Sequence, residues 1–386
     1  MNASLLLITF SLLTWGIGEG LFLYFIPLHL QNLGANPVTI GVILGSFGLM
    51  MAVVHIPAGY LSDRLGRKPL LLASWILGLI AAIIMALATS LWSFVAGYLL
   101  YGLTAFVFAP LFSYVTAARG KLTTGRAMTL TSAMYNLGAV LGPVSGGWIG
   151  DRFGLQTNFQ AAAVVLFIST VMILFLKAQD RDEHDEDSRR KSLFANPRFI
   201  SFVGLLFVGT FVMYLPQPLT PNFLQDERGI GLGELGWIGS AGSMGNAVFN
   251  LMLGQLNARS GYLIGQVLVG IFALILWKGA GIPLYLMGYF LLGGFRAARN
   301  LGYAQIRTLI HPAQMGLAYG FTETFGSSAL MLSPILAGFL YDWSPVSIYP
   351  VTLALLLVAM TLYFIFSPRE ETHLEPGNLG EALIKD

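Results

Sequence analysis

The chain has 386 residues, 55% of them hydrophobic and only 10% charged, with a mean hydropathy of +0.71. Soluble domains carry about 25% charged residues, so this composition excludes a fold that covers itself in water and points to the bilayer as solvent. The absence of cysteine excludes disulfides and thiolate metal sites, and the net charge of +2 matters less than where the charges sit.

A hydrocarbon core of roughly 30 Å takes about 20 apolar residues per helix, and windows of that size predict twelve spans. The first, 5–30, begins almost at once in MNASLLLITF. It has no basic n-region or small-residue cleavage site and reads as a retained span, not a signal peptide. Glu19 lies near its middle, in TWGIGEGLFLYF. The second span, 38–59, runs into GYLSDRLGRKP, where an acid and several bases crowd between two apolar runs. The third and fourth, 69–89 and 91–117, are parted only by a turn at Ser90; the fourth carries no charge and offers Tyr98, Tyr101 and Phe108 at helical spacing. The fifth, 127–150, contains GAVLGPVSGG, and the sixth covers 157–177. A charged stretch at 178–198 follows, without apolar periodicity, and reads as a solvated linker.

The second set of spans is 199–223, 232–256, 261–279, 282–307, 315–340 and 345–366. The seventh offers Phe207, Phe211, Tyr214 and Gln217, the tenth Arg296 and Arg299, and the eleventh Glu323. The expected organisation is therefore an N-terminal six-helix unit at 1–177, the linker, a C-terminal six-helix unit at 199–366 and a tail at 367–386. With the N-terminus in the cytoplasm, sixteen Lys and Arg fall in inside segments and three, Arg152, Arg228 and Lys278, outside. That asymmetry places both termini in the cytoplasm.

The halves are related. Gly59-Tyr-Leu-Ser-Asp-Arg-Leu-Gly66 is matched by Gly254-Gln-Leu-Asn-Ala-Arg-Ser-Gly261, at an offset of 195. Gly125, Pro143, Gly147 and Asp151 correspond to Gly316, Pro334, Gly338 and Asp342, at an offset of 191. Two such registers point to a duplicated bundle, a common way for transporters to build a site at the repeat interface.

These residues resemble the major facilitator superfamily, over the chain to about Phe366. GYLSDRLGRKP is similar to that family's signature loop between helices 2 and 3, with Gly59, Asp63, Arg64, Gly66 and Arg67 in place. Gly138, Gly142, Pro143, Gly146 and Gly147 resemble the motif of its antiporter branches, although Thr129 stands where that motif has a further glycine. The family's arginine in helix 4 has no counterpart here. The resemblance implies an all-α membrane fold of two pseudo-symmetric six-helix bundles, a central cavity lined by helices 1, 4, 7 and 10, and kinship with proton-coupled multidrug efflux.

The loop chemistry can be argued from the residues. Gly59 and Gly66 permit close approach and a tight turn. Arg64, Arg67 and Lys68 hold orientation and meet anionic lipid. Asp63 either pairs locally with Arg67 or, if the halves pack as the resemblance implies, meets the positive N-terminus of helix 11 near Gly316 and closes the cytoplasmic side. The small residues around Pro143 suit close helix packing in lipid.

An ionisable residue inside a span is costly and is by default a functional candidate. Glu19 reads as a coupling acid or as a permanent counter-charge. Arg296, Arg299, Asn300 and Tyr303 share one helical face. The two arginines cannot shed their protons, so each is a counter-ion or an anion binder. Glu323 reads as a partner for a neighbouring helix, with Arg299 at its depth. Tyr98, Tyr101, Tyr214 and Gln217 complete an aromatic, weakly polar cavity suited to an amphipathic ligand.

No phosphate-binding loop of the G-x-x-x-x-G-K-[ST] type is present, and no metal or cofactor site is expected. The leading reading is a monomeric secondary transporter, not an enzyme, that exports small amphipathic or drug-like molecules in exchange for protons. Nucleic acid has no place in it. Proton-coupled uptake or exchange of an organic anion held by Arg296 and Arg299 is the alternative, and a non-transporting sensor or scaffold is a third.

Overall fold

The computed structural model describes residues 3–65, 67–177, 196–310 and 315–368, with side chains at 55–65, 108–109 and 315–317 left aside. Among these described residues twelve long helical segments follow one another, beside shorter helical turns. In the first half, α1 is Ala3–Asn32, passing through a 3-10 turn at Leu23–Phe25. It is followed by α2 (Pro37–Leu65), α3 (Arg67–Leu87), α4 (91–118, with a 3-10 stretch at Leu103–Val107), α5 (Thr124–Phe153) and α6 (Leu155–Leu174). In the second half α7 is Pro197–Tyr214, α8 Leu232–Leu253, α9 Ala258–Lys278, α10 282–304 with a break at Gly293, α11 Met315–Trp343 and α12 Ile348–Phe366.

Among the described residues, eight of these helices are long and apolar enough to cross a membrane by length and composition, and the bent α4 makes nine. The other three, α5, α8 and α10, are diluted by glycine and polar residues or broken at Gly293. Their interior positions therefore depend on neighbours, as small-residue helices do in lipid.

Helix ends follow local chemistry. Ser90 and Ser93 exchange side-chain and backbone hydrogen bonds in a capping box, which makes the short α3–α4 turn a true boundary. Asn196 accepts from the Phe199 amide at 3.1 Å and starts α7. One expected edge is corrected. The seventh span was expected to reach 223, but α7 ends at Tyr214 and a separate short helix, Thr220–Asp226, follows. Pro216, Pro218 and Pro221 remove the amide donors that a continuous helix would need.

Within the first bundle, α5 lies close against α1. A Cβ placed on Gly142 would sit 2.5 Å from Gly20 Cα, and one on Gly146 would sit 2.6 Å from Leu21 O. Gly138 faces the Leu13 carbonyl just as closely. Gly147 turns the other way: a Cβ there would meet Gly236 Cα of α8 at 2.9 Å. The glycines around Pro143 thus serve two contacts, one inside the bundle and one between bundles.

The halves meet along α5–α8 and α2–α11. On α8, Gly236 packs on the Pro143 carbonyl and Gly147; on α2, Gly41 packs on the Pro334 carbonyl and Gly338. These two contacts are related by the offsets of 195 and 191 seen in the sequence. Ser240 donates to Val140 O at 2.6 Å where the equivalent Gly45 abuts Met331 O. At the same end, Gln31 donates to Asp226 at 2.8 Å, and Asn222 donates to Pro27 O at 3.2 Å and to Gln31. Hydrogen bonds between the halves run from this end down to Asn136 and Asn246. The molecule is sealed at one end, that of the α1–α2 and α7–α8 turns.

Candidate functional site

The site is built around Glu19. The glycines on either side of it bring α1 against its neighbours, Gly18 onto Leu166 of α6 and Gly20 onto Gly142 and Pro143 of α5. That proximity lets two phenols reach one carboxylate. Tyr101 of α4 donates to one oxygen at 3.0 Å, and Tyr135 of α5 donates to the other at 2.5 Å. The Tyr101 ring stacks on Trp15 with centroids 6.1 Å apart and meets Phe22 edge-on at 5.2 Å. Trp15 and Phe22 lie about one turn either side of Glu19, so they fix the donor that fixes the acid. Two charge-assisted hydrogen bonds offset much of the cost of a carboxylate at this depth.

Across the interface, α10 supplies the positive charge. Arg296 is exposed and lies within electrostatic reach of Glu19, Tyr135 and Tyr214. It makes no ion pair within 4 Å with a described residue. Arg299 is different: its Nη2 lies 2.5 Å from Glu323 Oε1 of α11, and its Nε donates to Tyr303 at 3.1 Å. The two arginines of one helical face therefore have separate roles, one neutralised inside the second bundle and one facing the first. Replacing Glu323 with Gln leaves the Arg299 charge without its carboxylate. The side chains are 18% and 30% exposed, so the expected loss is about 1–3 kcal/mol. It is readable as a lowered thermal midpoint in detergent that Glu323→Asp partly restores.

Aromatic pairs flank these charges from both halves. Phe47 and Tyr98 stack at 4.6 Å, and Tyr214 and Phe295 stack at 5.8 Å. Tyr98 and Tyr214 lie within electrostatic reach of one another. Tyr98 and Tyr101 are 4% and 2% exposed, so they act as packed and hydrogen-bonding groups, not as free lining. Gln217 is a correction: it sits in the proline-rich turn after α7, its amide folded back on Met213 O at 2.9 Å. The helix break places it near the sealed end and not on the helical face of Tyr214.

Asn300, which shares its helical face with Arg296, also joins a set of amides that sequence reasoning missed. It donates to Asn250 of α8 at 3.0 Å, Asn250 donates to Asn246 at 2.6 Å, and Asn246 donates to Asn136 of α5 at 3.4 Å. Tyr135 was missed as well. Neutral groups carry no charge to stand out in an apolar span, although Asn246 and Asn250 share a face at i, i+4.

The gate-loop residues Gly59, Asp63, Arg64 and Gly66 lie outside the described side chains, as does the expected meeting with α11 near Gly316. Arg67 opens α3 and borders a cleft of about 600 Å³ with Ser113, Thr116 and Arg119. Among the described residues no three His, Asp or Glu side chains gather as a metal site.

Residues 8–231 and 203–384 each match the profile of the Major Facilitator Superfamily. The class C tetracycline resistance protein of Escherichia coli is 30% identical over 228 residues, 55% of this chain and 56% of that protein, so the match spans about half of its length. The multidrug resistance protein MdtG of Klebsiella pneumoniae strain 342 is 26% identical over 347 residues, 83% of this chain and 82% of that one. The crystal structure of the nucleoside transporter NupG superposes with a TM-score of 0.78 at 15% identity, over 95% of this chain and 98% of that one, a likeness of fold. With both halves matched and the twelve helices arranged as two bundles, the chain belongs to the Major Facilitator Superfamily: it is a multi-pass membrane transporter and not an enzyme.

Proposed function

We propose that the chain exports small amphipathic molecules, drug-like compounds included, by exchanging them for protons across the cytoplasmic membrane. The observation that carries this reading is Glu19, a single carboxylate held mid-span by Tyr101 and Tyr135 and faced by Arg296 from the other bundle. An ionised Glu19 attracts Arg296 and favours the halves close together around it. A proton on Glu19 removes that attraction, so proton occupancy and the relative position of the bundles are linked. The asymmetry of Lys and Arg supports cytoplasmic termini. With cytoplasmic termini, the sealed end is the outer one and this state opens inward. The names of the relatives, tetracycline and multidrug resistance proteins, support export.

A second reading, uptake or exchange of an organic anion, draws on the exposure of Arg296. Proteoliposomes separate the two. Under an imposed pH gradient, a lipophilic cation such as ethidium is expected to accumulate, and an uncoupler is expected to collapse the accumulation. Flux of ethidium that ignores the pH gradient removes proton coupling; transport of an aromatic carboxylate alone selects the second reading.

A further inference from the structure

The asparagines between α5, α8 and α10 form a chain with a fixed direction. Asn136 donates its amide to Ser132 O, a backbone carbonyl that can only accept, at 2.9 Å. Its own oxygen therefore faces Asn246, which must donate. Asn250 is fixed twice, since its amide donates both to Asn246 Oδ1 and to the Asn246 backbone carbonyl at 2.8 Å. The Asn250 oxygen is then left to accept from Asn300. Every link uses the nitrogen of one amide and the oxygen of the next. The polarity set by one carbonyl on α5 arrives at α10 with Asn300 Oδ1 left over as an acceptor.

Asn300 is exposed, one turn from the exposed Arg296 on the same face. That exposed face presents a donor, the guanidinium, one turn from a neutral acceptor, the amide oxygen. Tyr214, half-buried and within electrostatic reach of Arg296, stacks on the buried Phe295 and offers the aromatic surface beside that guanidinium.

We propose that Arg296 and Asn300 together read a donor–acceptor edge on a planar ligand, and that Asn250, Asn246 and Asn136 act as positioning residues that hold Asn300 in its accepting sense. The ligand class is a flat ring system with an N–H or O–H next to a carbonyl or oxyanion, as in cyclic imides, ureides and enolised diketones. A methyl on the donor would both remove the hydrogen bond and press on Asn300 Oδ1. This inference rests on the cavity being the transport site and adds the substrate class to it.

The test uses the full chain in nanodiscs and a fluorescent pair, naphthalimide and N-methylnaphthalimide, titrated by fluorescence anisotropy. The parent protein is expected to bind the N–H imide about tenfold more tightly than its N-methyl analogue. Asn300→Leu should bring the two within about twofold of each other. Asn300→Asp, which keeps an acceptor, should retain the preference. Asn250→Leu, which touches no ligand, should lower the preference because the Asn300 amide is then free to turn over. Equal binding of both imides, no binding of either, or a preference that survives Asn300→Leu overturns the proposal. Proton-driven flux of ethidium, which this polarity does not govern, keeps a failure of the transport reading separate.

Discussion

Replacing Glu19 with glutamine is expected to abolish proton-driven accumulation, lowering it about a hundredfold or more, while the protein still folds. The side chains are nearly isosteric. The glutamine oxygen can go on accepting from one of Tyr101 and Tyr135, and its amide can donate to the hydroxyl of the other. The hydroxyl that accepts from the amide must turn its own proton elsewhere, which half-buried Tyr135 can do, so the thermal midpoint should move by only a few degrees. What the variant cannot do is change its charge. Arg296 would then face a neutral group in every state of the cycle, and the link between protonation and bundle position would be gone. Downhill exchange should remain measurable, because it needs the bundles to rock but not the proton to be counted. Glu19→Asp separates chemistry from reach: it keeps the proton but withdraws the carboxylate from the tyrosines by about one methylene, and should give intermediate coupling. The measurement is substrate accumulation in proteoliposomes against an imposed pH gradient. Accumulation in Glu19→Gln equal to that of the parent would show that another group carries the proton.

Much of this arrangement was written in hydropathy and charge. Most of the twelve spans follow from apolar length, α5, α8 and α10 least clearly, and most edges fall within a few residues of the helices, because water-exposed turns need the same polar and capping residues that interrupt a hydropathy window. The offsets of 195 and 191 reappear as two matching glycine–proline contacts between halves, Gly236 on Pro143 and Gly41 on Pro334. The costly charges were visible too, since a carboxylate or guanidinium inside a span needs either a partner, as Arg299 has in Glu323, or a task. The seventh span misled because its prolines are apolar in a hydropathy window but break a helix. Tyr135 and the asparagines were invisible for a different reason. A tyrosine or amide is tolerated at many depths, and its role depends on which helix stands opposite, which periodicity within one helix does not reveal. Tyr98 and Tyr101 illustrate the same limit: their helical face was legible, but their burial against Phe47, Trp15 and Phe22 was not.

Valine at both Gly41 and Gly236 is expected to force the sealed end open. In the closed arrangement a Cβ on Gly236 would lie 3.0 Å from Gly147 Cα and closer still to the Pro143 carbonyl; one on Gly41 would lie 3.1 Å from Gly338 Cα and closer to the Pro334 carbonyl. Those neighbours are backbone, so no rotamer change relieves the clash, and overpacking of this kind costs about 1–3 kcal/mol at each site. The clash exists only while the halves touch. It therefore burdens one state of the transporter and not the other, and two sites together would shift the equilibrium about a hundredfold or more. Gly142 provides the control, since its contact with Gly20 lies inside one bundle and is present in both states; Gly142→Val should lower stability without favouring either state. The natural lack of cysteine makes the readout simple. Ala35, at the sealed end, is 6% exposed, and a cysteine there should react with a maleimide slowly in the parent and at least about tenfold faster in the double valine variant. The shift should also remove transport, because a molecule that cannot seal this end cannot complete a cycle. Unchanged labelling of Ala35→Cys in a folded double variant would mean that the seal does not depend on the paired glycine contacts, and that the polar group of Gln31, Asn222 and Asp226 holds that end closed.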